Sequence, residues 1–323
     1  MAPVQLAGTA GPLIENHDSL LLDLDGVVYL GPKAIPHAVE TISALQSDGL
    51  PVAYVTNNSS RAPQTVADHL QGYGLEVAAD HVATSAQAAV AIMQKELAPG
   101  SRVLVVGGPG LRAEVAGIGM EIVESKDDNP AAVVQGFSPQ VGCEDLAEAA
   151  YAIGEGARFY ATNTDLSIPT ERGTAPGNGS LVLGITNATG VVPTSAGKPE
   201  PQLFWHAASL FDSKTPLMVG DRLDTDLAGA VAANMPGLLV FTGVTDAAGV
   251  ISCLPQERPT FLSSDLRGLL QAHPAPHQQD SFWICGDARA QVVAGEIQFS
   301  PAGPLARGSD AWLDAVRALC AAV

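Results

Sequence analysis

The chain has 323 residues, of which 46% are hydrophobic and only 15% charged, enough apolar material for two buried cores and too much for a globally disordered polypeptide. Its 34 acidic residues outnumber 16 basic ones, and the formal net charge of −18 repels nucleic acid and anionic membranes, so neither is expected as a partner. The same charge repels a phosphorylated molecule. A phosphate site would therefore have to gather a metal ion, a lysine and backbone N–H groups.

In chain order, residues 1–19 carry no basic stretch followed by a long apolar run, so no secretory signal is expected. Nowhere do about 18 apolar residues run uninterrupted, so no membrane-spanning helix is expected either. The first clear element is Leu20–Leu24, an apolar run that suits a strand buried on both faces of a parallel sheet. A helix follows near Pro36–Asp48, with Val39, Ile42 and Leu45 on one face and Gly49 to end it. Pro51–Thr56 reads as a second buried strand and Pro63–Gln71 as a second helix. Strands are expected at Arg102–Gly107, Ala132–Gln135, Phe159–Thr162, Leu217–Val219 and Gly237–Phe241, with helices near Glu144–Ile153 and Thr225–Ala233. This alternation predicts an α/β fold with a parallel sheet. The polar segment Thr162–Ser180 is too long and turn-rich for a simple connection and is a candidate functional loop. Residues 271–279, QAHPAPHQQ, read as a linker. Beyond it come two or three short strands and a helix carrying Trp312, Val316 and Leu319, too few residues for an independent domain, so this extension is expected to pack on the body or on another subunit. Four dispersed cysteines (Cys143, Cys253, Cys285, Cys320) form no metal spacing and fit free thiols in a reducing cytoplasm.

Four segments put polar groups at the C-terminal ends of predicted strands, the edge where open parallel sheets bind ligands. In LLDLDGVVYLG, Asp23 and Asp25 alternate with Leu24, so in a regular strand both carboxylates face one way and need a cation or a shared proton; magnesium fits such oxygen ligands. Taken alone, Asp25-Gly26 is equally an ordinary turn. In VAYVTNNSSR, Thr56, Asn57 and Asn58 could grip phosphate with neutral donors, or form a turn with a helix cap. In AGKPEPQ, Lys198 precedes Pro199, which can start a helix, and an ammonium there makes an anion site or a solvated surface lysine. In PLMVGDRLDTDLAGA, Asp221 ends an apolar strand and Asp224 and Asp226 follow, as a metal site or with Asp224 as a helix cap. VLVVGGPG is not a dinucleotide fingerprint, because Ala113 stands where the third glycine belongs, and it reads as a strand-to-helix turn.

The ordered set DxDGxxY, TNNSS, GKP and GDxxxTD resembles the haloacid dehalogenase-like phosphatases across roughly residues 17–265. The large insertion between the second and third motifs, and its loop TNTDLSIPTERGTAPGNGS, resemble class IIA, the C2-capped branch, with greatest similarity to bacterial glycerol-3-phosphate phosphatases. The resemblance implies a Rossmann-like parallel-sheet core (17–84 and 192–270), an inserted α/β cap of C2 type (85–191) and, outside the family pattern, a short C-terminal α+β extension (275–323). It implies that Asp23 attacks phosphorus and that Asp25 acts as acid and then base. Mg2+ would be held by the carboxylates of Asp23 and Asp221 and the backbone carbonyl of Asp25. Thr56, Asn57, Asn58 and Lys198 would bind phosphate, Asp226 would support the metal site, and Asp224 could assist. Asn163, Asp165, Glu171 and Arg172 are the cap candidates for reading the leaving group, or for stabilising their own loop. The expected substrate is sn-glycerol 3-phosphate. Alternatives are 2-phosphoglycolate, a nucleoside monophosphate or pyridoxal phosphate, the last disfavoured by the absence of an aromatic residue from that loop; a non-catalytic binding protein on the same fold is the alternative of another kind. A homodimer paired through the caps is plausible on the resemblance.

Overall fold

A computed structural model describes residues 6–170, 172–301 and 303–323. The chain forms two compact units, one from Met1–Tyr54, Leu70–Glu76 and Ala208–Val323, the other from Val55–His69 and Val77–Ala207.

In the first unit, strands Ser19–Asp23, Pro216–Gly220, Gly237–Val240 and Phe261–Ser263 lie side by side and parallel, in register through Leu21↔Met218, Val219↔Leu238 and Leu239↔Leu262. Every residue of the four is buried, as an uninterrupted apolar run requires when both faces of a sheet are covered. Because the strands are parallel, their C-terminal ends share one edge, which carries Asp23 and, just past its strand, Asp221. The expected helix after Asp221 begins as a single π-helical turn, Leu223–Leu227, before the α-helix Ala228–Ala232. The helix Ala38–Ser47 matches its expected position and buries Ile42 and Leu45.

The C-terminal extension belongs to this same unit. Strands His277–Gln279, Phe282–Cys285, Ala288–Val293 and Glu296–Ser300 form an antiparallel sheet. Helix Asp310–Ala322, capped by the Ser309 hydroxyl, has two buried faces. Leu313, Val316 and Cys320 join the core made by Leu227, Leu239, Phe241 and Leu262, while Ala315 and Ala318 meet Cys285, Ala288 and Ala290 of the small sheet. Trp312 stands edge-on to Phe241 at 4.8 Å between ring centroids. The buried Arg317 donates to Asp314 at 2.8 Å and to the Leu262 carbonyl at 2.9 Å. The expected linker is corrected here. His273 is buried, its carbonyl accepts from Thr9 N–H and its own N–H donates to Thr9 Oγ1, and His277–Gln279 is a strand. Its exposed polar side chains left no apolar alternation to reveal it.

The second unit has a parallel sheet in the order Thr194–Ser195, Arg158–Ala161, Ala132–Gln135, Arg102–Val106, Glu121–Val123. Helices Ser85–Glu96, Pro109–Gly117, Cys143–Gly154 and Asn178–Thr189 accompany it. The first is fixed by a capping box: the Thr84 hydroxyl accepts from Gln87 N–H, and the Gln87 amide oxygen accepts from Thr84 N–H. The glycines of VLVVGGPG form the strand-to-helix turn expected of them. The candidate loop holds an antiparallel hairpin, Ser167–Thr170 with Gly173–Pro176. Among the described residues no helix is long and apolar enough to cross a membrane.

Candidate active site

Strand Ser19–Asp23 ends at the residue expected to be chemically active. The regular strand expected to carry both Asp23 and Asp25 stops at Asp23: the chain bends at Leu24, and Asp25 forms an isolated bridge with Tyr29. Gly26 turns the chain with φ 83°, and its N–H bonds the Tyr29 carbonyl at 2.7 Å. Asp23 is 9% exposed, whereas Asp25 is open to solvent.

Asp23 gathers instead with Asp221 and Asp226: one carboxylate oxygen of each lies within 4.8 Å of the others, and all three residues are buried. Main-chain donors hold two of them. Val244 N–H bonds Asp221 Oδ2 at 2.6 Å, and Arg222 N–H bonds Asp226 Oδ2 at 3.1 Å. Three glycines let the backbone come this close. A β-carbon on Gly26 would lie 2.5 Å from the Asp221 carboxyl carbon; one on Gly243 would overlap Asp221, and one on Gly220 would overlap Asp226. The Thr242 hydroxyl donates to the Gly26 carbonyl at 2.5 Å and ties the two turns together. Gly243 and its neighbours were not singled out in the sequence. The signal was there, since GLLVFTGV repeats the pattern of a buried strand running into a small polar turn.

Asp224 is not part of this cluster and does not cap the helix. It takes both arms of the Arg222 guanidinium, at 3.0 and 2.7 Å, and that hydrogen bonding holds its carboxyl below the usual carboxylate range.

The other expected residues lie in the second unit. Lys198 is almost fully buried; the helix after it starts at Pro201, so Pro199 sits in a turn rather than a first helical position. Thr56 ends its strand, and its Oγ1 accepts from Asn58 N–H at 3.1 Å. Asn58 is exposed, with its side-chain oxygen accepting from both Ser60 N–H and Ser60 Oγ at 2.8 Å, a local turn closure. Asn57 is bonded to Lys198, Asn163 and Asp165. Asn163 is itself anchored, because Asn178 Nδ2 donates to its carbonyl at 2.8 Å. The start of helix Asn178–Thr189 lies against the loop backbone: Gly179 N–H bonds the Asp165 carbonyl at 2.9 Å, where a β-carbon on Gly179 would overlap Thr164. Arg172 is exposed in the hairpin turn, and Glu171 lies outside the described residues. Ser85, whose hydroxyl donates to the Asn57 carbonyl at 2.7 Å, escaped the sequence reading because it looks like any residue in the first turn of a helix.

This chain belongs to the haloacid dehalogenase-like hydrolases. The family model described as haloacid dehalogenase-like hydrolase matches residues 20–121, and a related one described as HAD-hydrolase-like matches residues 195–269. The D-glycerol 3-phosphate phosphatase of Mycobacterium tuberculosis is 47% identical over 259 residues, 80% of this chain and 72% of that protein. An acid sugar phosphatase of Staphylococcus saprophyticus is 36% identical over 260 residues, 80% of this chain and 98% of that protein. The crystal structure of the M. tuberculosis glycerol phosphate phosphatase with magnesium superposes with a TM-score of 0.87 at 41% identity, covering 97% of this chain and 91% of that one. The staphylococcal relative is thus matched almost whole while leaving a fifth of this chain over, whereas the mycobacterial structure matches nearly all of it.

Proposed function

We propose that the chain hydrolyses a small phosphate monoester, sn-glycerol 3-phosphate first, with Mg2+ and through an aspartyl-phosphate on Asp23. The observation that carries this reading is the buried group of Asp23, Asp221 and Asp226 at the C-terminal edge of a parallel sheet in a member of this hydrolase family. Like charges this close in a buried place repel one another, so the donor set calls for a cation, and an all-oxygen set suits Mg2+. Asp23 and Asp221 would hold it, with the carbonyl of Asp25, and the proximity of Asp226 extends its assigned support to direct sharing of the charge. Bound there, the metal would neutralise charge and orient the phosphate.

In the proposed reaction an Asp23 oxygen forms a bond to phosphorus as the bond to the leaving oxygen breaks. Asp25 gives its proton to the departing alkoxide, then takes a proton from the water that attacks phosphorus and releases Asp23. The exposure of Asp25 supports proton exchange with solvent. Lys198 balances the phosphate charge, and Thr56, Asn57 and Asn58 bind its oxygens through main-chain and hydroxyl donors. Residues 17–84 and 192–270 act as the core, 85–191 as the cap that reads the leaving group, and 275–323 as an extension. The cytoplasm is the proposed location and a homodimer the proposed assembly. The glycerol phosphate and acid sugar specificities of the two relatives support a polyol leaving group over a flat ring.

The test is phosphate release from sn-glycerol 3-phosphate, sn-glycerol 1-phosphate, 2-phosphoglycolate, UMP and pyridoxal phosphate, with magnesium and with EDTA. Preference for sn-glycerol 3-phosphate that EDTA abolishes is expected. Preference for another ester keeps the chemistry and changes the substrate, and release undiminished by EDTA overturns the metal requirement.

A further inference from the structure

Asn57 joins three stretches of chain that are remote in sequence. Its side-chain amide closes a bracket on the main chain of Lys198: Oδ1 accepts Lys198 N–H at 2.7 Å, and Nδ2 donates to the Lys198 carbonyl at 3.0 Å. The same Nδ2 donates to Asp165 Oδ2 at 3.0 Å. The Asn57 carbonyl in turn accepts from Ser85 Oγ at 2.7 Å and from Asn163 Nδ2 at 2.8 Å. Gly197 makes the bracket possible, since a β-carbon there would lie 2.7 Å from Asn57 Oδ1 and 2.6 Å from the Thr162 carbonyl.

A carboxamide presents a donor and an acceptor side by side, which is what a peptide unit offering an N–H and a carbonyl requires. Asn163 and Asp165, candidates for reading the leaving group, are thereby engaged with Asn57. We propose that Asn57 is a positioning residue for Lys198: it fixes the backbone from which the lysine extends and makes that placement depend on Asp165. The inference rests on the phosphatase reading, in which Lys198 faces the transferring phosphoryl group. An ammonium displaced by an ångström loses its charge stabilisation where charge develops, so the effect falls on kcat more than on KM.

Asn57→Asp tests this. It keeps the acceptor for Lys198 N–H, removes the donor to the Lys198 carbonyl, and sets a carboxylate against Asp165. The expected result is a fall in kcat of about a hundredfold with KM changed far less. Adding Asp165→Asn returns a donor from the opposite side, and the double variant is expected to recover at least about tenfold of that loss. Wild-type kcat in Asn57→Asp, or no recovery in the double variant, overturns the proposal. Should Asn57→Asp not fold, Asn57→Ser removes the bracket without new charge, and an unchanged kcat there overturns it equally. Wild-type protein that releases no phosphate from the ester panel would instead fail the phosphatase reading, which separates the two outcomes.

Discussion

In the first unit the buried polar groups gathered at the sheet edge are mainly anions, two of them held by main-chain N–H groups and packed against glycines. In the second they are mostly neutral amides and hydroxyls bonded to one another, with the Lys198 backbone bracketed among them. Buried charges of one sign cannot satisfy each other and call for a cation, whereas amides carry donor and acceptor together and can close their own network. The acidic edge is therefore specified by what it has to bind, and the amide cluster by the geometry it has to hold.

The largest expected effect breaks the acidic edge. Asp23→Asn keeps size and removes the proposed nucleophile, and kcat should fall at least about 10³-fold with the fold intact by circular dichroism. Next comes the core beneath that edge. Leu313→Ala, on the extension helix, should cost about 2–5 kcal/mol in urea unfolding, while kcat per folded molecule stays at the wild-type value. Gly243→Ala drives a methyl into Asp221; a cost of about 1–3 kcal/mol is expected. The magnesium concentration for half-maximal activity should rise at the same time, which a mere packing defect would not produce.

Smaller still is a pH effect confined to stability. Burial lowers the affinity of His273 for a proton, while Nε2 bonds the Gly268 carbonyl; burial likewise lowers His17 and His206 from the ordinary value of 6.5. The folded state then binds fewer protons than the unfolded one just below that value. Their stabilising contribution is whole above pH 6.5 and is lost as the pH falls through the window between the unfolded and the lowered folded values. Urea midpoints should decline from about pH 7.5 to about pH 5.5, with a shallower slope in His273→Gln. Smallest is the exposed pair of Arg222 and Asp224, where Arg222→Gln should change stability by less than about 1 kcal/mol.

Asp23 and Asp221 were legible in the sequence because each ends an apolar run where a carboxylate is costly without a purpose. The helices and strands named from periodicity fell close to where it put them, most ends shifted by a residue or two, whereas the helices Ser85–Glu96 and Asn178–Thr189 and the strands Glu121–Val123 and Phe261–Ser263 were not named. Asp226 was read only as support; its closeness to Asp23 depends on Gly220 and on the π-helical turn, neither of which periodicity encodes. The link from Asn57 to Lys198 spans 141 positions, so no local pattern could carry it. The strand His277–Gln279 was hidden because an exposed edge selects for backbone pairing rather than for apolar side chains.

The helix Asp310–Ala322 has a consequence for how the protein comes into being. The second unit takes all its residues from Val55–His69 and Val77–Ala207, so its core can close while later residues are still being added. The first unit draws on three separate stretches, and the layer formed by Leu227, Leu239 and Leu262 has its cover only once Leu313 and Val316 have emerged. The strand carrying Asp23 is among the earliest made, and it pairs with Pro216–Gly220, whose other neighbour Gly237–Val240 contributes Leu239 to that layer. Until that helix emerges the growing chain exposes this apolar layer, and the helix that covers it begins 287 residues after Asp23.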